Sequence, residues 1–122
     1  MLIFTEEEKM MIEKTLKDFL DTNENITVPV YLDIPRNPAD SYLTVEKIGA
    51  GRTDKIEACT MSIDANAQSK YETVLLSEKV KKAMEELGES DLVFSVNMGG
   101  ETDSTNTSQK LYCYTTIWNI YF

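Results

Sequence analysis

One stretch of the chain repeats its apolar residues at helical spacing. Across residues 70–87, Leu76, Val80, Ala83, Met84 and Leu87 share one face, while Glu78, Lys82, Glu85 and Glu86 crowd the other. A helix with a single apolar stripe must lay it against something, and the segments around it offer mainly strands. Residues 42–48, 55–65, 91–98 and 110–122 are dense in β-branched and aromatic side chains. In 91–98 the alternation puts Leu92, Phe94, Val96 and Met98 on one side. Gly88 is expected to end the helix as a glycine at C′.

A second, N-terminal helix is expected over residues 5–20. Thr5 can cap it, Glu8 sits at the capping-box position, and Glu6, Glu7 and Glu8 face the positive end of its dipole. Its core stripe is Ile12, Leu16, Phe19 and Leu20. Met10 and Met11 point off that stripe, so they either widen the core face or serve a partner, because methionine adapts to irregular surfaces. Residues 26–34 read as a strand containing Pro29; proline cannot donate to a ladder, which places this strand at an edge. The run 35–41 is a proline-containing loop, and 49–54 (GAGRTD) is a turn joining two strands.

The last two strands form a hairpin whose connection, 99–109 (GGETDSTNTSQ), has no apolar residue and exceeds the two to five residues usual for such loops. Gly99, Gly100, Glu101, Thr102 and Asp103 open that connection and are candidate contact residues. Tyr71 and Leu75 lie on the charged side of the 70–87 helix, where a neighbouring apolar pair is a candidate docking point. These elements predict an α+β fold: one domain, 1–122, with two helices packed on one face of a mainly antiparallel sheet of about five strands. The connection from 55–65 through the helix to 91–98 allows one parallel, right-handed pair.

Composition narrows function chiefly by exclusion. Twelve Lys and Arg against 21 Asp and Glu leave a net charge of -9, which repels nucleic-acid phosphates and anionic membranes. No apolar run reaches the roughly 20 residues of a membrane span, and the N-terminal MLIFTEEEK lacks signal-peptide features, so an intracellular protein is expected, with the sequons at Asn25 and Asn106 chance matches. Without histidine, Ser-His-Asp and Cys-His nucleophile systems are ruled out. Cys59 and Cys113 belong to no CxxC; they are expected to be buried strand thiols and cannot by themselves make a zinc site. The GAGRT run lacks phosphate-loop spacing and leads into a strand. The scattered aspartates form neither a calcium loop nor a spaced carboxylate dyad. We therefore expect no catalytic residue, no cofactor and no metal.

The order of elements, together with VPVYLDIP, KIEACTMSIDANA, SEKVKKAMEEL and the aromatic terminus KLYCYTTIWNIYF, resembles the small tail-completion and tail-terminator (head-tail joining) proteins of long-tailed phages and prophages. The resemblance covers residues 28–122 and is architectural. It implies a virion subunit, assembled in the bacterial host cytoplasm, that forms a ring, often a hexamer, at the head-proximal end of the tail and contacts tail-tube and head-completion proteins. A ring subunit needs head-to-tail patches and no active site; Tyr71, Leu75, the Pro29-bearing edge and the 99–109 connection are the candidates. Two other readings stay open: an acidic inhibitor or immunity-type protein that binds a basic partner, and a small enzyme using Lys, Tyr or carboxylates alone.

Overall fold

The computed structural model describes residues 12–53, 56–106, 108 and 111–122. Helix α1 spans Ile12–Thr22, followed by strands β1 (Val30–Tyr31), β2 (Tyr42–Thr53) and β3 (Ile56–Ala67), helix α2 (Lys70–Glu89), and strands β4 (Ser95–Asp103) and β5 (Tyr112–Tyr121). The five strands form one sheet in the order β1-β2-β3-β5-β4. All neighbours are antiparallel except β1 with β2. Both helices pack on the sheet, so the α+β expectation holds.

Alternation along β3 shows how the layers divide. Cys59, Met61, Ile63, Ala65 and Ala67 are buried against the helices, while the residues between them are half-buried on the opposite face. Leu43 and Val45 of β2 and Trp118 and Ile120 of β5 join the helix side, where Ile12, Leu16 and Leu20 of α1 and Leu76, Val80, Met84 and Leu87 of α2 close the core. The Trp118 indole N–H has a partner within this core: it donates to Thr116 Oγ1 at 2.7 Å, and that hydroxyl donates to Ile63 O at 3.3 Å.

Helix α2 starts where Ser69 can cap it. The Ser69 hydroxyl accepts from the Glu72 N–H at 3.2 Å, and the Ser-x-x-Glu spacing is that of a capping box. Gly88 does not end the helix, contrary to expectation. The helix continues to Glu89 and is capped at Ser90, whose N–H reaches Leu87 O at 3.1 Å. Gly88 lies against β4, where a Cβ would meet Val96 Cβ at 3.4 Å, an ordinary contact distance.

Several strand boundaries also differ from expectation. Helix α1 ends at Thr22 instead of Leu20, and its expected start, with Met10 and Met11, lies outside the described residues. Of the strand expected over 26–34, only Val30 and Tyr31 pair; Pro29 has no N–H to offer, although its carbonyl accepts from Leu43 at 2.9 Å, and the strand is an edge as expected. The expected turn at 49–54 belongs to β2 as far as Thr53, which pairs with Ile56. A register shift between Lys47 and Gly49 pushes Ile48 out of the ladder.

Beyond α2, β4 begins at Ser95 rather than Asp91, and it keeps pairing through Asp103. Gly99, Gly100, Glu101, Thr102 and Asp103 are therefore strand residues and not a loop. A bulge at Gly99 absorbs the extra residue, and glycine suits it because a Cβ would come within 3.1 Å of the Asn119 side chain. Strand β5 lies between β3 and β4, so the two strands joined through α2 run parallel without being neighbours. The parallel pair in the sheet is β1 with β2.

A polar clamp fixes the end of α1 to α2. The Asn23 and Asn25 side-chain amides donate to the two Glu86 carboxylate oxygens at 2.8 and 2.9 Å. These bonds, from Asn23 first and Asn25 second, hold the Glu86 carboxyl below its ordinary value of 4.5. A carboxyl lowered by folding contributes stability that is complete above its unfolded pKa and lost as pH falls through the folded one. The urea midpoint of the wild type should thus fall more steeply between about pH 6 and about pH 3 than that of Glu86→Gln. Parallel curves would remove Glu86 from the acid response.

Candidate interaction surface

Tyr71 and Leu75 stand one turn apart on α2 and point away from the sheet, 74% and 43% exposed. Their line continues through Glu78, Lys82 and Glu85, all exposed, as helical spacing requires. Their exposure follows from the buried stripe of Thr73, Leu76, Ser77, Val80, Ala83, Met84 and Leu87 on the opposite side. Both are placed as the sequence suggested, within an otherwise charged helix surface. Pro29 directly precedes the edge strand β1.

The structure adds exposed apolar residues at the β4 edge, which sequence reasoning places only on one side of a strand. Val96 and Met98 share the helix side of β4, as the alternation predicted, since they oppose Ile120 and Trp118. The alternation does not extend back to Phe94, which precedes the strand and is exposed while its neighbour Val93 is buried in the core. Yet only Val96 packs against the core; Phe94 and Met98 are 58% and 49% exposed. Alternation gives the face of a residue but not its distance from the rim, and β4 is the outermost strand. Farther along, Glu101 lies on the same side and its carboxylate pairs with Lys81 of α2, which also holds Glu78 at 2.9 Å. The Glu101 and Glu78 hydrogen bonds raise the Lys81 pKa.

On the side away from the helices, the sheet presents short polar side chains. Thr60 Oγ1 donates to Asn119 Oδ1 at 3.0 Å, and Thr115 Oγ1 donates to Asp64 Oδ1 at 2.7 Å. Register brings Thr44, Ser62, Asn97 and Gly100 onto this face, with Ile117 between Ser62 and Gly100. The two cysteines fall on opposite faces, Cys59 buried among the helices and Cys113 half-buried on the open side, and both are free thiols. Desolvation is the main cause that pushes each of them up to about 11, so both are protonated at neutral pH and poor nucleophiles.

A groove of about 310 Å³ runs between α1 and the segment after α2, walled mainly by Ile12, Leu16, Phe19, Leu87, Leu92 and Val93, with Asp18 at its side. Among the described residues it offers mainly apolar contact, with Asp18 its one ionisable wall residue. Among the described residues no group of three or more Cys, Asp or Glu side chains is arranged to hold a metal ion, and no helix is long and apolar enough to cross a membrane. What these surfaces supply is contact area: an aromatic-aliphatic pair on α2, an apolar rim on β4, and a flat polar sheet face. No family model matches the chain, and no curated protein matches it.

Proposed function

We propose that this chain is a structural subunit of the phage tail-completion or tail-terminator kind, which self-associates into a ring and joins tail to head through protein contacts. The observation that carries the reading is the outward pair Tyr71 and Leu75, an apolar patch on a charged helix face. Exposed aromatic and aliphatic residues grouped in this way are the usual anchors of protein interfaces. A ring joins unlike patches head to tail, and the outer face of α2 and the edge at β1 are two unlike surfaces of this fold.

Replacing the phenol ring with a carboxylate tests this directly. Tyr71→Glu should leave the far-UV spectrum and urea midpoint unchanged, because Tyr71 is not part of the core, while ring formation measured by sedimentation velocity is lost. Unchanged assembly would remove Tyr71 from the interface. A second reading, an acidic module seated in a basic cleft, draws on the net charge of -9; it calls for a strict monomer whose partner binding weakens steeply with added salt.

A further inference from the structure

Strand β4 is a long edge whose outward hydrogen-bonding groups follow from the ladder. Phe122 and Glu57 exchange both backbone bonds at 2.8 Å, so the even-numbered residues of β5 turn toward β3 and the odd-numbered ones toward β4. The Ser104 N–H to Cys113 O bond, also 2.8 Å, agrees with that assignment. Asn97, in register with Asn119, and Gly100, in register with Ile117, therefore direct their backbone groups inward. Those of Val96 and Met98 point away from the sheet.

Edges of this kind are commonly guarded by charge, proline or short length. At the opposite edge, β1 is two residues long and follows Pro29 directly. Residues 92–100 (LVFSVNMGG) have no such guard: they contain neither a charged residue nor a proline. The first acid beyond them, Glu101, is already paired with Lys81. In a chain of net charge -9, two copies repel each other except where neither presents a charge, and this edge is such a place. Its rim carries Phe94 and Met98, both about half exposed.

We propose that two copies of the chain pair antiparallel through β4, about a two-fold axis at Asn97. In that register Val96 of each copy meets Met98 of the other, and each such pair exchanges two backbone hydrogen bonds through the groups the edge leaves outward. Asn97 faces its own copy on the open side of the sheet. Phe94 and Met98 become covered along the new ladder, and two five-stranded sheets continue into one. An isologous pairing of this kind needs one self-complementary strand and no second site. It stands apart from the tail reading, whose ring would use α2 and the β1 edge.

Asn97→Cys tests the axis in the full chain. Inward-bonded residues of one pair are the non-hydrogen-bonded positions of the next, where Cα atoms lie about 4.5 Å apart, within disulfide range. Mild oxidation should convert the variant to a covalent dimer on a non-reducing gel, whereas Tyr71→Cys, on the outer face of α2, should stay monomeric under the same conditions. Met98→Pro removes one outward N–H without touching the β5 ladder, and the non-covalent dimer should be lost with far-UV circular dichroism unchanged. Folded Asn97→Cys that oxidises no faster than Tyr71→Cys overturns the pairing, as does folded Met98→Pro that dimerises like wild type; if Met98→Pro unfolds, the cysteine variant decides. A ring that forms without the Asn97→Cys crosslink rejects the edge pairing and leaves the tail reading standing, and the crosslink without a ring does the reverse.

Discussion

Trp118→Ala should cost about 3–5 kcal/mol of folding stability, a large share of the roughly 5–15 kcal/mol that holds a domain together. Trp118 is 5% exposed and packs in the cluster shared by both helices and the central strands. Truncation removes the largest side chain of that cluster and leaves a cavity that strands β3 and β4, hydrogen-bonded on either side, cannot close. It also removes the indole N–H that Thr116 Oγ1 accepts at 2.7 Å, leaving that hydroxyl only its bond to Ile63 O. Urea denaturation followed by far-UV circular dichroism measures the effect. A loss below about 1 kcal/mol would mean that the indole is not where the fold places it. Thr116→Val, which leaves the indole N–H without its acceptor, should cost about 1–3 kcal/mol by the same assay.

Leu20→Ala is the second large effect, expected at about 2–5 kcal/mol. Leu20 is completely buried on the inner face of α1, where that helix covers β1 and β2. Deleting its isobutyl group tests whether α1 is an integral layer or a loosely attached one. The clamp from Asn23 and Asn25 to Glu86 holds the end of α1 against α2, which limits collapse into the vacated space. The urea midpoint should therefore shift far more than in Lys14→Ala, which removes an exposed ion pair with Asp18 at 2.7 Å that solvent screens. Equal shifts in the two variants would show α1 to be peripheral.

Much of this architecture was legible because burial leaves a period in the sequence. Leu76, Val80, Ala83, Met84 and Leu87 predicted α2, and all five are buried there. The cap at Ser69, whose hydroxyl accepts from the Glu72 N–H, comes from the structure. Local punctuation misled where tertiary demands overrode it. Gly49 and Gly51 look like a turn, yet both continue a twelve-residue strand; Gly88 looks like a helix stop, yet the helix runs past it to Glu89. The polar run after Met98 resembled a loop because an edge strand that extends past the core has no apolar side to declare it.

The candidate surface was only partly readable for the same reason. Tyr71 and Leu75 could be placed outward from helical phase alone, and they are. Phe94 and Met98 could not, since their exposure depends on strand order, which alternation does not encode. Pairing across the sheet brought Gly99 to Asp103 into β4 and made the edge continuous. Lys81 is bound to Glu78 and Glu101, and burial holds both thiols protonated.

Self-recognition is the premise on which both proposals rest. Light scattering on the purified full chain across a wide range of concentration tests it most directly, with no variant required. The mass should exceed 13.9 kDa and rise with concentration; a mass that stays at 13.9 kDa throughout would contradict it.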